Sequence, residues 1–338
     1  MQTIYFHGTT PLNRSLILDE GFQSGRDGRF GEGIYLTPSI EIASSFGSAL
    51  LAVEMDEESI CHLSYIEMAH LFGEEIPTDE ETLEVFLDEA EGFPQLREWA
   101  LSQGYLGCKI EYRPDDLELV VYDPAALSNY FAIELTEAGW FPVKQFNPDE
   151  EPLTHIGTLN PKDKGRLSYE GHGLSISTCP EEWQRIAQLG GLPWHTFEKE
   201  GHRFLDFHNL LDSHRSLIVD WGLQEGYITE GTAYQVTYFD DEEDSELSSL
   251  YQSYEEAQAE ADCYEVEPVS VEVLLPTTRL SNGLQCQIPL IITFDLLTIL
   301  FVEEVLQWDG VFWNDDYGYW SAPRAVIVPT QLLSWTIL

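Results

Sequence analysis

The chain has 338 residues, and its 60 acidic against 16 basic side chains leave a formal net charge of -44. At 43% hydrophobic and 12% aromatic it carries ample core material for one large domain or two ordinary ones, and the reading is two. So negative a surface repels phosphate backbones, which argues against direct nucleic-acid binding by counterion release and favours a basic protein target.

The first strand is predicted at Thr3-Ile4-Tyr5-Phe6, ending on His7-Gly8, and a helix over Leu12 to Glu20 closes on Gly21. Glycines 21, 25, 28, 31 and 33 then mark a loop before the short strand Ile34-Tyr35-Leu36. Thr37-Pro38 reads as the cap and first turn of a helix carrying Ile40, Ala43 and Phe46 on one face, with Gly47 at its end. From Glu54 to Ala100 the pattern is acidic and helical, an all-helical insert with Thr78-x-x-Glu81 as a capping box. A hairpin follows, Cys108 to Tyr112 and Leu117 to Tyr122, turning at Arg113-Pro114-Asp115-Asp116 and stopping at Asp123-Pro124.

The acidic, proline-containing stretch Phe146 to Pro152 reads as a linker, giving domains 1–145 and 146–338. Beyond it, Thr154-His155-Ile156-Gly157-Thr158 echoes Phe6-His7-Gly8-Thr9, and Gly171-His172-Gly173-Leu174-Ser175-Ile176-Ser177 echoes Gly31 to Thr37. A helix is predicted from Pro180 to Gly190-Gly191, and Asp309-Gly310-Val311-Phe312-Trp313 with Ala325-Val326-Ile327-Val328-Pro329 resembles the first segment's closing hairpin. These echoes are either a diverged duplication or chance matches of short Gly-x-Gly-apolar strings.

Other features read as structural. Cys61, Cys108, Cys179, Cys263 and Cys286 stand singly, which disfavours a zinc knuckle or a disulfide scaffold. His202, His208 and His214 recur at six-residue spacing, which suits no helical metal site, and Asp240 to Glu246 reads as a solvated loop. The longest apolar stretch, Ile288 to Val302, is too short for a bilayer span and contains Pro289 and Asp295, so it reads as a strand followed by a helix. With no signal-peptide pattern at the start, the expectation is a soluble cytoplasmic protein without a membrane partner.

His7 in Tyr-Phe-His-Gly-Thr, Tyr35 in Gly-Glu-Gly-Ile-Tyr-Leu-Thr, and Glu118 in Leu-Glu-Leu-Val-Val-Tyr-Asp-Pro occur in one order. In these three motifs, residues 3 to about 130 resemble the ADP-ribosyltransferase superfamily, specifically its diphtheria-toxin and poly(ADP-ribose) polymerase-like branch. They are also similar to the transferase modules of phage polyvalent proteins. The resemblance implies an α+β fold built on a split β-sheet, with a second α+β domain that is a degenerate copy or a target-recognition module.

It also implies NAD as substrate. Departure of nicotinamide builds positive charge on the ribose carbon, so a carboxylate beside that ribose stabilises the transition state more than the ground state. The resemblance assigns this role to Glu118, a ribose hydrogen bond to His7, and stacking on nicotinamide to Tyr35. Gly8, Thr9 and Gly33 flank them, and Arg14, Arg26 and Arg29 are read as a local cradle for the pyrophosphate. Taken singly, His7 and Tyr35 suit a core, Glu118 suits the solvent face of a strand, and Asp116 suits ordinary turn chemistry.

The resulting expectation is a mono-ADP-ribosyltransferase acting on a basic, nucleic-acid-binding protein, in a conflict between virus and host or as an intracellular toxin. Two alternatives are an NAD glycohydrolase of the same fold and a non-catalytic acidic DNA mimic. An RNA 2′-phosphotransferase lacks the basic contacts it needs. In the second segment His155 matches His7, Ser175 falls at Tyr35, and Pro323 or a neighbour falls where the glutamate should stand, so that copy should bind rather than catalyse.

Overall fold

The structure, a computed structural model, describes residues 3–26, 28–88, 91–114, 116–147, 151–159, 172–240, 245–251, 253–282, 293–315 and 322–338. It is mixed α+β, and its contacts divide the chain into two compact units, Met1–Val143 and Lys144–Leu338.

In the first unit the order is β1 (Thr3–Thr9), α1 (Pro11–Glu20), β2 (Ile34–Leu36), α2 (Ile40–Phe46) and β3 (Ala49–Met55). Then come β4 (Ile60–Ser64), α3 (Tyr65–Leu71), α4 (Glu80–Asp88), α5 (Leu96–Ser102), β5 (Gly107–Arg113), β6 (Asp116–Val121), β7 (Leu127–Thr136) and β8 (Gly139–Lys144). Thr10 caps α1 by accepting from the Asn13 N–H, and Gly21, at φ 87°, ends it in a conformation that glycine adopts without strain. Helix α2 starts two residues later than Thr37-Pro38 suggests, because Ser39 accepts from the Ile42 N–H while Thr37 stays in the bridge to β1.

The strands form two sheets, ordered β1-β3-β7-β8 and β2-β6-β5-β4, antiparallel except for the parallel pair β4–β5. They are stitched at one point, where Phe6 and Thr37 exchange backbone hydrogen bonds of 2.7 and 3.1 Å. Tyr5, Leu51 and Val53 of one sheet pack against Ile34, Leu36, Leu119 and Val121 of the other. The opposite face of β5 and β6, with Cys108, Ile110, Val120 and Tyr122, is covered by Tyr65, Met68 and Ala69 of α3 and by Leu96 and Ala100 of α5. Strand β6 is therefore buried on both faces from Leu119 to Val121.

The insert is not all helical, since Ile60 and Cys61 bury in a strand alongside β5. The acidic residues around this strand masked it. The cap of α4 is Asp79, which accepts from the Thr82 N–H, one residue after the expected Thr78. A full capping box stands instead at Ser64 and Glu67, on α3.

The second unit comprises β9 (Leu153–Ile156), β10 (Leu174–Ser177), α6 (Pro180–Ile186), β11 (Trp194–Glu198), β12 (Phe204–Asp206), α7 (Asp212–Gln224), β13 (Ile228–Asp240) and β14 (Ser245–Tyr251). It continues with α8 (Tyr254–Tyr264), β15 (Val269–Pro276), α9 (Thr278–Asn282), α10 (Thr293–Phe301), β16 (Gly310–Trp313), β17 (Arg324–Ile327) and β18 (Thr336–Ile337). Strands β14, β13 and β15 make a separate three-stranded sheet with α8 packed on it.

The remaining strands run β12-β16-β17-β10-β9-β11-β18 and reproduce the first unit strand for strand, in the order β4-β5-β6-β2 followed by β1-β3-β7. The one parallel pair, β12–β16, falls where β4–β5 does. Thr154 pairs with Ser177 as Phe6 pairs with Thr37, and Ser175 faces Val326 as Tyr35 faces Val120.

Some expectations shift here. Phe146 is not linker: it is 5% exposed, donates its N–H to His202 Nε2, and packs on Phe204 and Phe312. Helix α6 ends at Ile186, with Gln188 at positive φ, before the Gly190-Gly191 pair. Residues 288–292 of the apolar stretch and Asp241–Asp244 of the acidic loop lie outside the described residues. Among the described residues, no helix is long and apolar enough to cross a membrane.

Gly8 lets α2 approach β1 closely, because a Cβ there would stand 1.7 Å from the Ala43 carbonyl oxygen. Gly8→Ala must push α2 off the sheet, and denaturant unfolding should show a loss of about 3 kcal/mol, the upper end of ordinary overpacking costs.

Candidate active site

The first unit contains a cavity of about 810 Å³, walled by β1, β2, α2, α4, β5, β6 and the glycine-rich loop. His7, Tyr35 and Glu118 all line it, together with Gly8, Gly28, Arg29, Phe46, Tyr112, Arg113 and Asp116. A neighbouring cavity of about 590 Å³ shares His7, Gly8, Tyr35 and Phe46 and adds Thr9, Asn13, Gln23 and Gly33.

His7 comes from β1, and its Nδ1 lies 3.0 Å from the Tyr35 carbonyl oxygen. A carbonyl only accepts, so Nδ1 carries the proton and the neutral ring keeps Nε2 as an acceptor. Burial holds the imidazole below its ordinary pKa, partly offset by that carbonyl, and Phe22 packs edge-on against the ring.

The Tyr35 hydroxyl is spent inside the protein: it accepts from the Phe30 N–H at 2.8 Å and donates to the Gly31 carbonyl at 2.9 Å. Burial pushes its pKa up to about 12. Gly28 lies so close over this side chain that a Cβ would sit 2.0 Å from the hydroxyl oxygen. Tyr35 thus presents a ring held from both ends.

Glu118 is not on a solvent face. Its neighbours Val120 and Tyr122 belong to the core under α3 and α5, and the carboxylate points from that same face into the cavity with a quarter of its side chain exposed. Tyr112 donates to Glu118 Oε2 at 3.1 Å, and Arg29 Nη1 lies 3.7 Å from the same oxygen. Burial raises the carboxyl above its ordinary pKa, while Arg29 and Tyr112 pull it back. Asp116, at the start of β6, also lines the cavity and pairs with Arg113 at 3.9 Å, beyond the turn role expected for it.

The cradle of three arginines does not assemble. Arg14 lies on α1 and lines a separate depression with Pro11, Ser48, Leu50 and Glu134, whereas Arg26 is exposed in the loop and lines neither cavity. Closeness in the chain is not closeness in space, because α1 turns its basic residue away from the cleft. Arg29 does reach it, joined by Arg113, which also binds Glu84 and Asp88 of α4.

Phe46, expected on the packed face of α2, is 74% exposed and lines both cavities. Its spacing of three from Ala43 was a core signal, yet the helix ends there and leaves the ring at the lip. The sequence reading missed Tyr112; alternation in β5, with Cys108 and Ile110 inward, places it on the same side as both.

The second unit keeps part of this arrangement. His155 Nδ1 lies 2.7 Å from the Ser175 carbonyl, as His7 lies by Tyr35, and burial likewise lowers its pKa. Strand pairing places Arg324, the neighbour of Pro323, at Glu118's position: Glu118 faces Ile110 in β5, and Arg324 faces Trp313 in β16. Two residues beyond those partners stand Tyr112 and Asp315, and Arg324 binds Asp315 at 3.0 Å and Asp295 at 3.5 Å. The charge at the key position is reversed. Among the described residues, no group of three or more His, Cys, Asp or Glu side chains is placed to hold a metal ion.

Comparison with protein-family models and with curated proteins returns no match.

The two buried titratable groups have opposite consequences for stability. Glu118 has a raised folded pKa, so stability falls as pH rises from the ordinary value of 4.5 through the raised one. Glu118→Gln should therefore unfold at equal or higher denaturant than the parent at pH 7, with the difference vanishing below pH 4.5. His7 has a lowered pKa, and its contribution is lost as pH falls below 6.5. His7→Phe should flatten that acid-side loss in the same titration.

Proposed function

We propose that the first unit binds NAD, cleaves the bond between nicotinamide and ribose, and transfers ADP-ribose to a macromolecular acceptor. The observation that carries the reading is the convergence of His7, Tyr35 and Glu118 in one cavity, from three strands that the sequence separates by up to 111 positions (118 − 7). Ligand sites of this kind measure roughly 300–1,000 Å³. Two adjoining cavities that share His7 and Tyr35 suit a ligand made of two joined nucleosides.

The residues fit the roles. His7 offers Nε2 as an acceptor for a ribose hydroxyl, Tyr35 and Phe46 offer aromatic faces to a flat ring, and Arg29 supplies positive charge for a pyrophosphate in a chain of net charge -44. Bound NAD brings a pyridinium leaving group whose departure puts positive charge on the ribose. The Glu118 carboxylate, held by Tyr112, stabilises that charge in a partly water-excluded site. A basic protein is the acceptor this negative surface attracts, in a cytoplasmic setting.

We read the second unit as a diverged copy of the first. With Arg324 in the carboxylate's place it has no group for the charge-stabilising step, which leaves target recognition as its role.

Incubation with NAD should release nicotinamide and yield ADP-ribose adducts detectable by mass spectrometry of treated lysate. Glu118→Gln should lower the rate about 10²–10³-fold, the usual cost of losing one electrostatic stabiliser. Free ADP-ribose with no adduct would instead indicate a glycohydrolase, and an unchanged NAD pool would discard the enzyme. NAD titrated calorimetrically into Glu118→Gln should bind at one site per chain; two sites would overturn the account of the second unit.

A further inference from the structure

Arg29 combines an anchored backbone with a partly exposed guanidinium. Its backbone is anchored through its neighbours: Phe30 donates its N–H to the Tyr35 hydroxyl at 2.8 Å and receives the Tyr122 hydroxyl on its carbonyl at 2.9 Å, and Gly31 receives the Tyr35 hydroxyl at 2.9 Å. The side chain beyond that anchor is 41% exposed and projects into the cavity. Its guanidinium lies 5.3 Å from the ring centre of Phe30 and 5.6 Å from that of Tyr112, so the two aromatic rings support it.

Its approach to Glu118 is loose. At 3.7 Å it is well beyond the 2.7–2.9 Å of a charge-assisted hydrogen bond, and half-exposed pairs of this kind are weak. The two phosphates of a dinucleotide carry two negative charges against the carboxylate's one and can take a guanidinium bidentately, so they compete favourably for the same cation. Glu118 would not be left unsupported, because Tyr112 donates to it independently of Arg29.

We propose that Arg29 is an exchangeable counter-ion: it pairs with Glu118 before ligand enters, then turns to a phosphate of the ligand. The exchange leaves the carboxylate held by Tyr112 with its negative charge uncompensated. The charge of Glu118 is thus unmasked by the arrival of a phosphorylated ligand. This deepens the NAD reading by making Arg29 a residue that links dinucleotide binding to the strength of the stabilising charge.

The groups that bear on Glu118 are Arg29 from the loop, Tyr112 from β5, Tyr35 from β2, and Asp116 and Arg113 at the β5–β6 turn. The test is a pH titration of the full chain carrying carboxyl-¹³C glutamate, in which the Glu118 signal is identified by its loss in Glu118→Gln. Inorganic pyrophosphate serves as the probe. In the parent, pyrophosphate should raise the Glu118 midpoint by about one pH unit, a tenfold change in proton affinity. In Arg29→Gln the midpoint should already stand higher and should not respond. Arg29→Lys should restore the starting midpoint with a smaller response, since an ammonium cannot grip a phosphate bidentately.

A parent midpoint indifferent to pyrophosphate, or a response that persists in Arg29→Gln, overturns the proposal. The outcome is separable from NAD turnover. A parent that responds to pyrophosphate but leaves NAD intact keeps the counter-ion and loses the transferase. One that consumes NAD while Glu118 ignores pyrophosphate does the reverse.

Discussion

The first unit depends on a single stitch between its two sheets. Phe6 and Thr37 exchange backbone hydrogen bonds, and one residue along, His7 donates from Nδ1 to the Tyr35 carbonyl. Those contacts fix β1 against β2 beside the core in which Tyr5 packs with Ile34 and Leu36. The cavity lies against this junction, and His7 and Tyr35 both line it. Because the imidazole is committed through Nδ1, its tautomer is set by the fold itself and does not await a ligand. The second unit repeats the stitch with Thr154, Ser177, His155 and Ser175, which marks it as a requirement of the architecture as well as of any chemistry.

Around that stitch the structure spends burial to hold a charge. Strand β6 is covered by the inter-sheet core on one face and by α3 and α5 on the other, and Glu118 sits where the second cover gives way to the cavity. A carboxylate so placed is costly to ionise, and the Tyr112 hydroxyl and the nearby guanidinium offset part of that cost. The loop that brings the guanidinium is held by two tyrosine hydroxyls, so the hydrogen-bonding capacity of Tyr35 goes to geometry and its ring is left for contact.

Much of this was legible in the sequence where local signals agree. The strands carrying His7, Tyr35 and Glu118 are short apolar runs bounded by glycine, proline or aspartate, and the structure places them as expected. Legibility fails where one composition hides another: Ile60-Cys61-His62-Leu63 is a strand inside an acidic helical stretch, and its partner lies 47 residues away in β5 (108 − 61). It fails again where proximity along the chain was read as proximity in space, which gathered Arg14 and Arg26 with Arg29. The helical spacing of Phe46 suggested core because periodicity reports a face but not whether anything covers it. The echoes around His155 were only strings of letters until strand pairing gave them a common register, and the reversal at Arg324 has no local signature at all.

That reversal also bears on how two similar units can fold in one chain without confusion. Tandem units of similar topology are prone to trade equivalent strands and become trapped in misassembled forms. Here the sixth strand of one unit carries a carboxylate that belongs beside Arg29, while its counterpart carries a guanidinium that belongs between Asp295 and Asp315. A crossed pairing would set Arg324 against Arg29 and Glu118 against two aspartates, like against like in half-buried surroundings. Opposite polarity at one matched position therefore penalises that crossed pairing relative to the native one.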